Sequence, residues 1–367
     1  MFFPRVFIEM TNVCNLSCLY CPDSLQKREK QFMGFDLFKK IVDDLFSNHV
    51  TMSIDFHIMG EPLLNNEFFH MISYLQCREK YPVNLTLTTN GILLKDKSIQ
   101  EAIINSSLDK VVISIRAQDE YEHKLKANKD VLSGYDDYVQ TIKSFIHKVH
   151  EEDTNLLISL GYFHTVNSPY TLVSSHPFIT KKSQILNLAK YWHESIKNYK
   201  QTIPIKKIKM PFSLKSGWKY ENNVQLSKNL ELVIEGMGIW HNQLCPDDYF
   251  VEDTFYGKCR FFENLSITSN GDVIGCCIDF DGDIKFGNLR HSSIDKIITT
   301  KKYTHFRKNM ENGILISSVC RRCQGKICEK SSGNELKFKT SKFISYYYFF
   351  MAHLGQFIKT IWNKFIN

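Results

Sequence analysis

Three cysteines lie within eight residues near the start of the sequence, directly after a short apolar run. They are Cys14, Cys18 and Cys21 in the stretch FIEMTNVCNLSCLYCP. Two metal sites use such closely spaced cysteines: a zinc ion takes four ligands in a closed tetrahedron, and an iron–sulfur cluster takes one thiolate for each iron. Three cysteines leave one iron of a four-iron cluster free to bind and activate a small molecule. A disulfide is the alternative, which the lack of a signal peptide disfavours.

The spacing C-x3-C-x2-C, with the aromatic Tyr20 before the last cysteine, resembles the signature loop of the radical S-adenosylmethionine (SAM) superfamily. The resemblance implies that the three cysteines hold a [4Fe–4S] cluster whose fourth iron is chelated by the amine and carboxylate of SAM. It places Tyr20 among the cofactor-binding residues. It also implies an enzyme, an iron–sulfur oxidoreductase supplied with electrons by a flavodoxin- or ferredoxin-type donor.

Short apolar runs alternate with amphipathic segments along most of the chain. In FDLFKKIVDDLF, residues 35–46, the apolar side chains recur at helical spacing and form one face. Six strand-and-helix units predict an α/β fold with a parallel sheet and right-handed crossovers, in the form of an open, partial (β/α)6 TIM-like barrel, which the resemblance also implies. The predicted strands are 5–10, 52–59, 83–89, 110–116, 156–163 and 205–212.

Polar residues follow the predicted strands at the end where barrel sites lie. Gly60 and Glu61 follow the second strand, Asn90 follows the third, and Ser114 and Arg116 end the fourth. Glu61 can accept hydrogen bonds from an ammonium group, and Ser114 with Arg116 can hold a carboxylate, so together they form a receptor for an amino acid. The resemblance assigns Gly60-Glu61 to the amino group of SAM, and Ser114 and Asn90 to its carboxylate and ribose.

Two departures from the family pattern bear on SAM binding. Where the family often has an arginine after the fourth strand, this chain has Lys124 and Lys126, which places more of the carboxylate binding on Arg116. The fifth strand lacks a glycine-rich adenine motif, and Phe163 and Val166 are the candidate adenine contacts.

A second set of cysteines lies in the last third of the chain. Between its first two members, Asn270-Gly271 predicts a hairpin turn. The set resembles the SPASM/twitch extension of radical SAM enzymes and implies one auxiliary [4Fe–4S] cluster, since only Cys277 and Cys328 remain nearby. A zinc ribbon is the alternative, and Cys245 is an alternate ligand or a buried thiol. The four predicted metal ligands are Cys259, Cys276, Cys320 and Cys323.

Two aspartates just past Cys276 are candidates for catalysis. Oxidation of a substrate needs a base for the departing proton, and Asp279 and Asp281 are placed to supply it. The alternative is that both lie in a solvated turn.

Composition and charge bound the remaining possibilities. The 367 residues are 43% hydrophobic and 23% charged, as in soluble globular proteins, and no apolar run reaches the roughly 18–20 residues of a spanning helix, so we expect a cytoplasmic protein. The net charge of +7 is concentrated near the end of the chain. Residues 336–367 predict a basic, aromatic amphipathic helix that docks on the barrel or makes a peripheral contact with an anionic membrane.

These observations predict three parts: a radical SAM core at 1–240, a SPASM/twitch domain at 241–335 and the C-terminal helix at 336–367. We expect hydrogen abstraction from a small polar molecule, sugar- or cyclitol-like, with net two-electron oxidation. A peptide-modifying enzyme that forms thioethers, crosslinks, epimers or formylglycine is the alternative, which the start of the barrel at about residue 5, without a leader-binding domain, disfavours. A zinc-ribbon protein that binds nucleic acid leaves the first cysteine loop unexplained, so nucleic acid is not an expected partner.

Overall fold

The computed structural model describes residues 1–78, 82–125, 134–165, 178–210, 221–236, 245 and 249–330. The predicted C-terminal helix at 336–367, the predicted boundary at residue 240, Lys126 and Val166 lie outside these ranges. The helices in the described residues are α1 (Phe35–Asn48), α2 (Phe68–Gln76), α3 (Lys97–Ile104), α4 (Glu120–Lys124), α5 (Tyr135–Glu151), α6 (Lys182–Ile196), α7 (Ile294–Ile298), α8 (Lys301–Glu311) and α9 (Ser318–Cys323).

The strands alternate with these helices in the first two thirds of the chain and follow one another more closely after residue 249. The described strands are β1 (Phe2–Phe3), β2 (Val6–Ile8), β3 (Val50–Thr51), β4 (Ser53–Phe56), β5 (Asn84–Thr89), β6 (Lys110–Ile113), β7 (Leu157–His164), β8 (Glu221–Gln225), β9 (Leu230–Gly236), β10 (Tyr249–Glu252), β11 (Leu265–Ile267), β12 (Asp272–Ile274), β13 (Lys285–Asn288) and β14 (Lys326–Glu329).

A single large sheet forms the frame of the molecule. Within the described residues its order is β13-β12-β11-β2-β4-β5-β6-β7-β9-β8. The six strands β2, β4, β5, β6, β7 and β9 run parallel to one another, so their carboxyl ends meet at one edge. The α/β fold class and the partial (β/α)6 barrel expected from the sequence are therefore confirmed.

The sixth parallel strand is not the predicted one. The segment 205–212 forms only a 3₁₀ turn at Ile205–Lys207 in its described part, and its lysines are exposed. The sixth strand is β9, a run of buried aliphatic residues interrupted by Glu231 and Glu235. Glu231 is tolerated there because Lys110 lies 2.9 Å from its carboxylate and Ser159 donates a hydrogen bond to it. A paired acid can occupy a buried strand, and the pairing is invisible in the local sequence.

Helix α1 packs on the sheet through the face that its spacing predicts. Leu37, Phe38, Ile41, Val42 and Leu45 are at most 5% exposed and join the main core. Burial of an aliphatic side chain of this size stabilises the fold by roughly 1.5–3 kcal/mol. Among the helices that the structure describes, none is both long and apolar enough to cross a bilayer.

Strands β11, β12 and β13 of the C-terminal segment continue the barrel sheet, whereas β10 and β14 pair in a separate two-stranded sheet. Strand β11 pairs in parallel with β2, with Leu265 opposite Val6, and then antiparallel with β12. The turn between β11 and β12 contains Asn270 and Gly271, which confirms the predicted hairpin, and Gly271 has a φ of +90° that favours glycine. The hairpin that belongs to the second cysteine set is therefore paired with β2, the strand that leads into the first cysteine loop.

Candidate active site

The first cysteine loop follows β2 at the carboxyl edge of the sheet. The Leu16 amide contacts Cys14 Sγ at 3.4 Å, and the Cys21 amide donates to the carbonyl of Cys18 at 3.0 Å. All three thiols are half-buried, and none takes part in a disulfide. The compact turn therefore brings the three predicted ligands into one small region.

The chemistry of the three thiols fits a shared metal centre. Burial raises the pKa of Cys14 to about 12 and raises that of Cys21 as well, and the neighbouring Cys18 adds to both shifts. Thiolates are the form that binds metals, so three crowded thiols would have to lose protons together. A bound metal centre supplies the positive charge that makes this loss favourable.

Glu61 is a buried carboxylate that ties the second and third strand ends together. It accepts hydrogen bonds from Thr89 Oγ1 at 2.8 Å, from the Asn90 amide at 2.7 Å and from the Leu63 amide at 3.2 Å. The side chain is 1% exposed, and burial raises its pKa to about 7 in spite of these three donors. A carboxylate with two oxygens retains room for a further donor, which is what the predicted role towards an amino group requires.

Gly60 lets this strand end approach the cysteine loop closely. Its φ is +75°, and a Cβ at this position would lie 2.4 Å from the Thr11 carbonyl oxygen and 2.7 Å from that of Val13. The next amide, that of Glu61, donates to the Val13 carbonyl at 2.9 Å. Only glycine combines this conformation with this contact, so the strand end and the loop are held at a fixed distance.

Asn90 also contacts the cysteine loop directly. Its Nδ2 donates to Asn15 Oδ1 at 2.7 Å and lies 3.9 Å from Cys14 Sγ. The structure therefore brings Cys14, Glu61 and Asn90 together, as their positions after successive strands predict. The half-buried Ser114 follows β6 on the same edge.

Arg116 has a partner that the sequence did not reveal. Its Nη1 lies 2.5 Å from Glu235 Oε2 at the end of β9, and its guanidinium stacks 4.1 Å from the centre of the Phe163 ring. Its backbone has a φ of +51°, which is unusual for a residue other than glycine. The guanidinium predicted to bind the SAM carboxylate is thus held across the barrel mouth towards Glu235.

Tyr20 lies in an aromatic group beside the cysteine loop. Its ring meets Phe163 edge-on at 5.3 Å between centroids and Phe178 at 6.1 Å. The predicted cofactor residue Tyr20 and the candidate adenine contact Phe163 are therefore neighbours. The faces and edges of such rings make good contacts for a planar base.

The four predicted ligands of the second set influence one another electrostatically. Cys320 and Cys323 lie three residues apart on α9 and so share one face. Burial raises the pKa of each to about 12, and the thiol of Cys259 adds to both shifts and to the raised pKa of the half-buried Cys276. Within the described ranges, no three His, Cys, Asp or Glu side chains surround a single point where one metal ion would sit.

The other cysteines of the C-terminal part pack among other groups of residues. Cys277 packs with Cys21 against an apolar group that includes Phe7 and Phe280, so it lies between the two cysteine sets. Cys328 is buried in β14, and Cys245 packs in a different group.

Both aspartates proposed as bases are bound to backbone amides. Asp279 is 1% exposed, and its carboxylate accepts from the amides of Asp283 and Ile284 at 3.0 and 2.9 Å. Burial raises its pKa to about 6. Asp281 accepts from the amides of Lys27 and Arg28 at 2.7 and 3.1 Å. This geometry gives both residues a role in shaping their turn, and it leaves their role as bases a prediction.

Sequence reasoning missed a buried ion pair that joins the two cysteine regions. Arg28 binds Glu9 through two hydrogen bonds of 2.7 Å, and Glu9 also accepts from the amide and hydroxyl of Ser269 at 2.9 and 3.0 Å. Glu9 is fully buried. The charged Glu9 directly after the apolar strand Val6–Ile8 was the available signal, because a buried acid requires a partner.

Two family models match the chain over the regions just described. Residues 8–169 match the radical SAM superfamily, and residues 259–324 match the SPASM iron-sulfur cluster-binding domain. The chain is a radical SAM enzyme with a SPASM domain. It is therefore an enzyme of the iron–sulfur oxidoreductase type. The family predicted from the two cysteine patterns is confirmed.

Two relatives show how far the similarity of this radical SAM enzyme extends. It is 31% identical over 137 residues to the S-adenosyl-L-methionine-dependent 2-deoxy-scyllo-inosamine dehydrogenase of Niallia circulans, a match that covers 36% of this chain and 52% of the relative. It is 26% identical over 321 residues to the tungsten-containing aldehyde ferredoxin oxidoreductase cofactor-modifying protein of Pyrococcus furiosus, with 82% of each chain covered. The chain thus spans about half the length of the dehydrogenase.

Similarity to a solved structure concerns the fold. The structure of anSMEcpe with bound AdoMet matches with a TM-score of 0.52 at 16% sequence identity, covering 98% of this chain and 100% of the other. The partial barrel and the C-terminal extension are therefore shared.

The family fixes the cofactors of this radical SAM enzyme. They are a [4Fe–4S] cluster with SAM at the barrel, and an auxiliary iron–sulfur cluster in the SPASM domain. The donor chemistry fits both, because each region presents several half-buried thiols that perturb one another. That there is one auxiliary cluster stays a prediction, as do the individual ligands.

Proposed function

We propose that this enzyme oxidises a small polar substrate, a sugar or cyclitol bearing a hydroxyl group, by two electrons. Cys14, Cys18 and Cys21 hold the SAM-binding cluster, and the second cysteine set holds the auxiliary cluster. When bound, these cofactors supply a radical that removes a hydrogen atom from an unactivated carbon and an acceptor for the second electron.

The side chains at the barrel mouth, the carboxyl end of the parallel strands, support this proposal. Glu61 and Asn90 lie beside Cys14, and Tyr20 lies beside Phe163, so the polar and aromatic contacts that the methionine and adenosine parts of SAM need surround one loop. Arg116 and Glu235 occupy the neighbouring part of the mouth, where a hydroxylated substrate would be oriented. The partial match to the 2-deoxy-scyllo-inosamine dehydrogenase supports a cyclitol as the substrate class.

The test is turnover of a labelled probe by the anaerobically reconstituted enzyme with dithionite and SAM. We expect 2-deoxy-scyllo-inosamine, deuterated at the hydroxyl-bearing carbons, to yield 5′-deoxyadenosine that contains deuterium and a ketone about 3 Da lighter than the labelled probe, because one deuterium leaves the carbon and one hydrogen leaves the hydroxyl. Deuterium transfer without ketone formation would contradict net oxidation. Modification of a peptide panel, with no cyclitol turnover, would instead support the peptide-modifying alternative.

A further inference from the structure

His57, Arg116 and Glu235 come from three different strands and meet at the barrel mouth. Each residue lies at the carboxyl end of its strand, β4, β6 or β9. The preceding residue, Phe56, packs on Phe68 of α2 outside the sheet, so alternation along the strand turns His57 towards the barrel interior. The carboxyl ends of these strands lie at one edge of the sheet, where Arg116 pairs with Glu235. Burial lowers the pKa of His57 to about 4, and the charges of Arg116 and Glu235 act on this pKa in opposite directions, which agrees with that placement.

Arg116 is held in place from several sides. Its guanidinium lies between the Phe163 ring and the backbone at Gly161, where a Cβ would come within 3.1 Å of Nη1. The Arg116 amide donates to the Gly161 carbonyl at 2.8 Å, and its positive φ is retained in spite of the strain. Backbone strain of this kind is concentrated at functional sites, where the surroundings fix a side chain precisely. Here the result is a fixed cation beside Glu235.

The other two members of the group offer acceptors to a ligand. His57 Nδ1 is buried and has no hydrogen-bond partner in the part of the chain that the structure describes. A buried imidazole nitrogen without a partner is costly, and a bound hydroxyl would satisfy it. The Glu235 side chain remains 28% exposed although it is paired with Arg116, so its carboxylate can accept from a second cation.

We propose that His57 and Glu235 form a subsite for an amino alcohol, in which His57 accepts a hydrogen bond from the hydroxyl and Glu235 binds the ammonium group. Arg116 orients Glu235, and Gly161 makes room for Arg116. The inference rests on the proposed function and narrows its substrate class to amino-substituted cyclitols or sugars. It also gives Arg116 a place in substrate binding, in addition to the SAM-carboxylate role that the sequence predicted.

Calorimetric titration of the reconstituted holoenzyme with bound SAM measures the subsite without turnover. The probe is 2-deoxy-scyllo-inosamine. The amine-free comparison ligand is scyllo-inositol, which bears hydroxyls at the amino-bearing carbon and at the deoxy carbon of the probe. Loss of a charge-assisted bond in Glu235→Gln should weaken probe binding by about ten- to a hundredfold and leave scyllo-inositol binding unchanged. His57→Phe should weaken both ligands, and His57→Asn, which retains an acceptor, should recover part of the loss. Glu252→Gln, an exposed strand carboxylate, is the control variant.

The SAM affinity of each variant is measured alongside, and it separates the possible outcomes. Equal probe affinity in wild type and Glu235→Gln, or no probe binding to the wild type, would overturn the subsite. A changed SAM affinity with unchanged probe affinity, in Glu235→Gln or in the crowded variant Gly161→Ala, would assign Arg116 to the cofactor alone. The proposed function fails separately, if the wild type binds the probe and does not oxidise it.

Discussion

Arg28 and Glu9 form a buried bidentate ion pair, with each guanidinium Nη 2.7 Å from a carboxylate oxygen. The pair is 19 residues apart in sequence, yet through Ser269 it reaches across 260 residues to the hairpin that leads to the second cysteine set. Arg28 also donates through Nε to the Phe280 carbonyl at 3.0 Å. The two cofactor regions are therefore joined by one fully hydrogen-bonded carboxylate.

Replacement of Arg28 by methionine should destabilise the protein strongly. The change leaves the Glu9 charge buried without its cation, which costs about 3–5 kcal/mol in comparable buried pairs. Urea unfolding of the anaerobic protein measures the loss, and the double variant Arg28→Met with Glu9→Gln should recover part of it. Arg78→Met is the control, because its pair with Asp43 is about half exposed and contributes roughly 0–1 kcal/mol. Equal losses of stability in Arg28→Met and Arg78→Met would contradict the structural role of the buried pair.

Removal of Cys18 should abolish SAM cleavage. The Cys18→Ala variant lacks one of the three proposed ligands, so the cluster that reduces SAM is not held. Anaerobic protein with dithionite and SAM should then yield no 5′-deoxyadenosine, whereas Cys77→Ala, which removes an exposed cysteine at the C-terminal end of α2, should cleave SAM normally. Cleavage by Cys18→Ala at the wild-type rate would refute the ligand assignment.

The auxiliary site should survive loss of the first one. A variant with Cys14, Cys18 and Cys21 all replaced by alanine should retain about four irons and matching acid-labile sulfide, on the basis of one thiolate for each iron. Adding Cys320→Ala should remove this iron as well. Iron and zinc analysis of both variants decides the matter, since zinc without iron in the triple variant would support the zinc-ribbon alternative.

Titration of Glu61 should lower the stability of the folded protein as the pH rises. Its pKa is about 7 in the folded protein, compared with about 4.3 in an unfolded chain. Between these two pH values, Glu61 takes up a proton when the protein folds. Its contribution to the free energy of unfolding is therefore fully present below about pH 4 and is lost as the pH rises through 7. The loss amounts to roughly 4 kcal/mol at most.

The Glu61→Gln variant cannot titrate, so its urea midpoint should fall less than that of the wild type between pH 5 and pH 8. The exposed carboxylate variant Glu101→Gln serves as the control and should keep the wild-type slope. A Glu61→Gln profile parallel to the wild type would show that this carboxylate is not the titrating group.

Local patterns predicted much of this site, and long-range pairing explains what they missed. The spacing of Cys14, Cys18 and Cys21, the glycine at position 60 and the hairpin at Gly271 are local features, so the sequence displays them directly. The Arg116–Glu235 pair depends on which strand becomes the neighbour of β7. That neighbour was misplaced at 205–212, because Glu231 and Glu235 make β9 appear too polar for a buried strand until their partners are known.

The parallel pairing of β11 with β2 has a consequence for attempts to divide the enzyme. A chain shortened before residue 249 would leave one side of β2 with unpaired amides and carbonyls at the edge of the barrel sheet. Exposed strand edges of this kind recruit other strands and promote aggregation. The two matched domains are therefore better regarded as one folding unit, in which the C-terminal domain closes an edge that the barrel cannot close by itself.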